Sequence, residues 1–424
     1  MFEMQNTRNM RKILLLAYAC EPYTGSETGV GWNVAKQLAK NNEVYVLTRG
    51  HCKDKIQSAV DAEQIENLHF CYYNIPRYLF LDESINWFGQ INYITWQIKS
   101  RSFVRKLHKQ HGFDLIHHIT YCQYRTPSPG FYMDVPFLMG PIGGAERIAP
   151  SFDCDLDSYT SKKERIRRKG SDLKFFRRWV KKRENKKCFT FTTNENLTRL
   201  TPYCNGYPAA LLPIISFSPI DFARFVRNER GDDAFEMIYA GRAEDWKGIR
   251  LFLRSLKQTF VDEGILSFRV RLIGIRTEEE QRKVEGWVSE LELNKYVELI
   301  PFMPRETLLN ELAEADLFVY PAFRDSGSMG VLEACVLGCP TLCFNAGGQD
   351  AFPDDILIKA PVGSSYAENL NNFAQKLKWI YNNKAEAKAI GEKSKAYVYE
   401  HFTWERKVEK IEKIYDTLLQ KTVQ

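Results

Sequence analysis

The second half of the chain repeats one pattern: a short apolar run, a polar turn, then a stretch with helical spacing. FEMIYAGR (Phe235 to Arg242) precedes GIRLFLRSLKQ, and FRVRLIGI precedes TEEEQRKVEGWVSEL. YVELIPFM precedes RETLLNELAEA, and ADLFVYPA precedes SMGVLEACVLG, before a last run, PTLCFNAGG. Continuous apolar runs of this length, alternating with helices, belong to strands buried on both faces of a parallel sheet. The first half opens in the same way. KILLLAYA (Lys12 to Ala19) leads through the loop CEPYTGSETGVG into GWNVAKQLAKN, whose Trp32, Ala35, Leu38 and Ala39 share one helical face. NEVYVLTR, FDLIHHIT (Phe113 to Thr120) and VPFLMGPIGG (Val135 to Gly144) continue the series. The pattern predicts an α/β chain with two doubly wound domains in tandem, and 424 residues suit that number. A proline-containing, weakly periodic stretch from Tyr203 to Asp232 separates the two series. It sets the expected domains at 1–205 and 206–398. In the tail, Val408, Ile411, Ile414, Tyr415 and Leu418 form an apolar stripe that needs a surface to cover.

Composition narrows the functional classes. The net charge of +6 is too small to argue for a nucleic-acid binder. Ten cysteines include no CxxC pair. Cys335, Cys339 and Cys343 run across a helix, the Pro340 break and a strand, so they read as buried thiols and not as metal ligands. Unpaired, scattered cysteines fit a reducing compartment, and the expected location is cytoplasmic. The run after Arg11 and Lys12 has the outline of a secretion signal. It spans only about seven apolar residues, with Tyr18 where a cleavage box needs a small side chain, so it reads as the first strand. No window reaches the roughly 18 apolar residues of a membrane span.

Two loops carry candidate chemistry. In YAGRAEDWKG (Tyr239 to Gly248), Arg242 and Lys247 follow a strand, at the edge where open α/β sheets bind ligands. Two cations flanked by Gly241 and Gly248 suit a diphosphate, and equally a solvated loop. In RDSGSMGVLEACVLGCPTL (Arg324 to Leu342), an acid stands in a glycine-rich loop and a second acid lies about one turn into the following helix. The first turn offers unpaired N–H groups to a phosphate, and Gly327 and Gly330 permit close backbone approach. Glu333, directed back toward the helix start, can accept ribose hydroxyls, and Asp325 those of a second sugar. Capping by Ser328 and a dipole-matched Glu333 would leave the same residues.

Taken together, these segments resemble the retaining glycosyltransferases of family 4. Their signature is an acid, seven residues, then Glu, and it matches Asp325 to Glu333 with LEACVLGCPTL and AGGQDAF following. ACEPYTGSETGVGW matches the first-domain loop of members that build bacterial exopolysaccharide or capsule, and HHIT with YRTPSP, GPIGGAE, TTNE and FTWER also match the family, in order. The resemblance implies a GT-B fold: two Rossmann-like domains facing across a cleft, with a last helix, 399–422, crossing back onto the first domain. It implies that Arg242 and Lys247 neutralise the leaving diphosphate, Glu333 holds the donor ribose and Asp325 the transferred sugar. His118, or its neighbour His117, would face the reaction centre. Gly25, Ser26, Gly241, Gly327, Met329, Gly330, Val331 and Leu332 would complete the donor site. Gly143 and Gly144 would shape the cleft floor. Base recognition would come from backbone near IPFMPRE. Most members have Glu where this chain has Asp325, one methylene shorter, which leaves the sugar contact open. The implied reaction moves a sugar, with retention and without metal or other cofactor, from a nucleotide sugar to a glycan or lipid-linked acceptor. The other readings are a non-catalytic nucleotide-sugar-binding scaffold and a nucleotide-cofactor oxidoreductase. For the latter, GVG lies too far beyond the first strand to form the usual fingerprint.

The segment 161–187 carries 14 Lys or Arg against 3 acids, interleaved with Phe175, Phe176 and Trp179. It is read as a contact for an anionic membrane or a lipid-diphosphate acceptor, with a solvated helical hairpin as the plainer alternative. A second aromatic stretch, Tyr72 to Trp96, reads as a further acceptor-side patch or as core.

Overall fold

The computed structural model describes residues 10–82, 88–227 and 234–420. Trp87, within the aromatic stretch Tyr72 to Trp96, together with Asp232 and residues 421–422, lies outside the described residues. Two wholly parallel sheets dominate. The first holds β1 (Lys12–Leu16), β2 (Glu43–Thr48), β3 (Leu68–Tyr72), β4 (Leu115–His118), β5 (Phe137–Ile142), β6 (Lys187–Phe191) and β7 (Ala209–Leu211). Its spatial order is β3-β2-β1-β4-β5-β6-β7. The second holds β8 (Phe235–Ala240), β9 (Phe268–Ile275), β10 (Val297–Pro301), β11 (Leu317–Tyr320), β12 (Thr341–Phe344) and β13 (Ile358–Ala360), in the order β10-β9-β8-β11-β12-β13. Both orders reverse once, at β1/β4 and at β8/β11. A crevice opens beyond the carboxyl ends of the strands at such a switch point.

The strand runs are continuous because both faces are covered. Along β1, Leu14 and Leu16 enter one core and Ile13 and Leu15 the other, all fully buried. The C-terminal helix, Trp404–Gln420, lies on the Ile13/Leu15 face. Trp404, Val408, Ile411, Tyr415 and Leu418 are nearly all withdrawn from water there, worth roughly 10 kcal/mol before the entropy of ordering the helix. The helix begins later than the expected 399. Residues 399–401 still belong to the preceding helix, Lys384–His401, and the chain crosses at Phe402 and Thr403. At that point it pairs with the outgoing connection: the Phe217 N–H donates to Phe402 O, and the Trp404 N–H to Phe217 O, each at 3.1 Å. The outgoing boundary also differs from 205/206. Strand β7 completes the first sheet beyond it, because Ala209–Leu211 pairs with β6.

A second exchange has no counterpart in the sequence pattern. Between β5 and β6 the chain leaves the first sheet, and Pro150–Asp155 docks in the core of the second. The Phe152 ring, fully buried, stacks on Phe323 with centroids 4.1 Å apart and meets Phe344 edge-on. Asp155 accepts from the Tyr366 hydroxyl at 2.9 Å and pairs with Arg254 at 3.2 Å. The helix Ser158–Lys169 follows, then Leu173–Val180, whose Leu173, Phe176 and Val180 turn back into the first core. Phe176 and Trp179 therefore pack inward, and Phe175 stays exposed. Trp96 is likewise fully buried.

Candidate active site

At the second switch point, β8 runs into Gly241 and Arg242, and β11 into the loop that carries Asp325. Lys247 Nζ donates to the Tyr320 hydroxyl at 2.6 Å and to Asp325 Oδ2 at 2.9 Å. Tyr320 donates to the same carboxylate oxygen, and the Gly327 N–H to the other at 3.2 Å. Burial works to raise the Asp325 carboxyl. The Lys247 charge and these hydrogen bonds outweigh it and hold the group below the ordinary aspartate value. Lys247 itself is nearly buried, with its ammonium 4.2 Å from the centre of the Trp246 ring. Arg242, by contrast, extends into solvent and meets only Glu244, at 3.2 Å, among the ion pairs of the described residues.

The helix Met329–Val336 starts beside this cluster. Ser328 caps it by accepting the Val331 N–H at 3.3 Å, and the first intrahelical bond runs from the Leu332 N–H to Ser328 O. Of the first-turn donors, those of Met329 and Gly330 are thus the ones left for a ligand. Val331 and Leu332 are buried in the second core, so they offer no side-chain surface to a donor. Gly327 is hemmed in: a Cβ there would sit 2.9 Å from Ile214 Cγ2. Glu333 lies one turn on, nearly buried, and burial raises its carboxyl against the opposing charge of Arg305.

Arg305 is the residue that the sequence reading passed over. It opens the helix Arg305–Glu314 and donates from Nε to Glu333 Oε1 at 2.6 Å. IPFMPRE therefore reaches Glu333 through a side chain, where backbone was expected. Gly25 caps the helix Ser26–Leu38 from the first domain, and Ser26 takes a positive φ of 59°. Between these two sides lies a cavity of about 510 Å³, lined by Gly25, Asn33, Lys36, Ser218, Asp221 and Arg305 among others. That is within the usual range for small-molecule sites. A smaller cavity of about 310 Å³ lies between Tyr159, Lys163 and Arg167 of the first domain and Glu244, Trp246 and Arg324 of the second. Two larger hollows lie elsewhere, at the amino edge of the second sheet and beside β13.

The histidines need correcting. His118 was expected to face the reaction centre, with His117 as the alternative, and both are fully buried. Adjacent strand residues point to opposite faces of a sheet, and here both faces are covered. His117 Nδ1 lies 2.6 Å from the hydroxyl of Tyr415 on the C-terminal helix, and its Nε2 lies 2.9 Å from Gly140 O. His118 Nε2 lies 3.4 Å from both Tyr93 and Gln97 of the helix Phe88–Lys99. Burial pushes His117 down to about 4 and His118 to about 3, so both are neutral core groups. The titratable groups on the first-domain side are instead Glu27, pushed up to about 7 by burial, and Lys407, pushed down to about 7 by burial. Glu27 accepts the Tyr121 N–H at 3.2 Å, and Lys407 donates to Ile214 O. Cys335, Cys339 and Cys343 are free and buried, and no group of three or more His, Cys, Asp or Glu among the described residues could hold a metal ion.

Residues 221–397 match the family described as glycosyl transferases group 1. The whole chain superposes on sucrose-phosphate synthase of Thermosynechococcus elongatus with a TM-score of 0.67 at 16% identity, covering 97% of this chain and 100% of that one. HepE of Anabaena, solved with UDP and glucose, gives 0.60 at 13% identity, covering 96% and 100%. WaaG, a glycosyltransferase involved in lipopolysaccharide biosynthesis, gives 0.60 at 14%, covering 96% and 99%. Comparison with curated proteins gives no match. The fold is GT-B, the two-Rossmann architecture of these glycosyltransferases. No helix among the described residues is long and apolar enough to cross a membrane.

Proposed function

We propose that this chain transfers a sugar, with retention of configuration, from a nucleoside diphosphate sugar to a glycan or lipid-linked acceptor in cell-surface polysaccharide assembly. The observation that carries the reading is that Lys247, beyond β8, is hydrogen-bonded to Asp325 in the loop that enters the Met329 helix, at one switch point of a GT-B fold. The hard event is cleavage of the bond between the anomeric carbon and the phosphate oxygen. As the electron pair moves onto the diphosphate, two cations and a helix N-terminus stabilise the growing charge. The acceptor hydroxyl then bonds to the same face of the anomeric carbon, and its proton passes to the leaving phosphate. Metal has no assigned part. The 510 Å³ cavity beside Arg305 and Gly25 suits the nucleoside, with Glu333 accepting the ribose hydroxyls. Asp325, already oriented by Tyr320 and Lys247, accepts from the transferred sugar.

The segment 161–187 is assigned to an anionic membrane surface, and the protein to the cytoplasmic side. Ile166 and Phe175, and Tyr159 just before the segment, are exposed beside its lysines and arginines, the mixture that favours an interface.

The test is a binding titration with UDP, GDP, ADP and NADH, repeated on Lys247→Ala. Selective binding of one nucleoside diphosphate, weakened at least about tenfold by the substitution, supports transfer and names the base. Donor turnover then separates the enzyme from a non-catalytic scaffold. Binding indifferent to Lys247, or selective for NADH, overturns the reading.

A further inference from the structure

Two buried carboxylates from the excursion after β5 grip the residues on either side of Asp325. Glu146 and Glu164 are 2% and 1% exposed. Both follow β5 on the excursion toward the second domain. Glu146 Oε2 accepts the Gly144 N–H at 2.9 Å. Its Oε1 accepts from Asn196 at 2.6 Å, from Thr192 at 3.3 Å and from the hydroxyl of Ser326 across the domain gap. Glu164 Oε2 accepts the Ile148 N–H at 3.2 Å, and its Oε1 pairs with Arg167 at 2.6 Å and with Arg324 at 3.1 Å. The approach is close enough that a Cβ on Gly143 would lie 3.0 Å from Ser326 Oγ.

A buried carboxylate is costly unless its oxygens are satisfied. No ion pair is found for Glu146 among the described residues. Neutral donors from three first-domain positions solvate it, and the fourth donor comes from the loop of the second domain. Loss of the Ser326 contact would expose the carboxylate to water but leave its other three bonds intact, so this contact is the one able to break as the domains part. Glu164 is differently built: its cation Arg324 lies on the second domain and Arg167 on its own helix. Between Arg324 and Ser326, the backbone of Asp325 is fixed from both ends.

We propose that Glu146, from the first domain, and Glu164, from the segment docked on the second, are positioning residues that brace the backbone on either side of Asp325, the Glu146–Ser326 contact being made only when the domains meet. This deepens the transferase reading and rests on it for the role of Asp325. GPIGGAE then has a physical role: the glycines bring the backbone close to Ser326, and the terminal acid holds the loop.

The experiment is amide hydrogen exchange on the full chain, comparing wild type, Glu146→Gln and Ser326→Ala, with UDP, GDP and ADP titrations alongside. Expected is exchange about tenfold faster over 324–330 in Glu146→Gln and, reciprocally, over 143–147 in Ser326→Ala, with β1 and β8 unchanged. A merely structural Glu146 would loosen β5 and β6 and leave 324–330 at the wild-type rate, and that result overturns the brace. Where Glu146→Gln fails to fold, the reciprocal effect of Ser326→Ala decides. If no diphosphate binds the wild type while the cross-domain exchange effects are present, the brace stands and the transferase reading falls. If a diphosphate binds and the exchange is unmoved, the reverse holds.

Discussion

Lys247 and Asp325 neutralise each other across the carboxyl edge of the second sheet, 2.9 Å apart, with the Tyr320 hydroxyl bonded to both. The cation assigned to the diphosphate and the acid assigned to the sugar are thus one unit before any ligand arrives. On the proposed reading a diphosphate shares Lys247 with Asp325, which ties phosphate binding to the orientation of the carboxylate assigned to the transferred sugar.

Lys247→Ala should lower diphosphate affinity at least about tenfold and turnover about 100-fold. It also leaves Asp325 buried without its cation. The double variant Lys247→Ala/Asp325→Asn should therefore regain melting temperature relative to the single variant while regaining no affinity. Thermal unfolding and calorimetric titration check the two halves separately.

Stability should fall as the medium is acidified from about pH 6.5 toward 4. His117 and His118 have folded-state values depressed below the ordinary histidine value, to about 4 and about 3. The unfolded chain binds protons first, so the stability they contribute is complete above about 6.5 and is lost as pH falls through the folded values. Each histidine accounts for up to about 3 kcal/mol over that window. Denaturant titrations of His118→Gln across pH should show a shallower acid slope, with diphosphate affinity at neutral pH unchanged. A loss of affinity without a change in slope would restore His118 to the reaction centre.

Arg305→Ala removes the charge that opposes the burial of Glu333. Its carboxyl should then be held even higher, so that diphosphate binding weakens at neutral pH and recovers as pH rises. Arg305 is partly exposed, which limits the effect to about tenfold. Titrations between pH 6 and 8.5 test it, with Glu333→Gln as the pH-independent control.

Phe152→Ala should cost about 3–5 kcal/mol. The loss belongs to the second core, where its ring stacks on Phe323. Hydrogen exchange should therefore quicken around β11 and β12 more than in β1 or β4, although Phe152 lies between two strands of the first sheet.

What could be read in advance followed from chemistry local in sequence. KILLL and FEMIYA are apolar except for Lys12 and Glu236 because each strand is covered on both faces, and that leaves a trace in a run of five or six residues. The loops carrying Arg242, Lys247 and Asp325 follow such strands directly, so their edge was legible as well. Arg305 was not, because its partner Glu333 lies 28 residues away on another helix. The paired histidines misled for a related reason. Alternation says that His117 and His118 face opposite ways, but only distant elements close each side: Tyr93, 25 residues from His118, and Tyr415, 298 residues from His117. PSFDCD has no period at all, so the docking of Phe152 left no signature.

That docking bears on how the protein can be dissected. A fragment starting near residue 206 contains every strand of the second sheet and the whole span, 221–397, that matches the family described as glycosyl transferases group 1. It lacks Phe152, and so would present Phe323 and Phe344 to water at an open hole in its core. The fragment should be sticky and poorly folded when made alone. Supplying 148–157 as a separate peptide, or grafting that segment onto its start, should make it soluble. The site proposed for the nucleotide lies in the second half, but the closure of its core is inherited from the first.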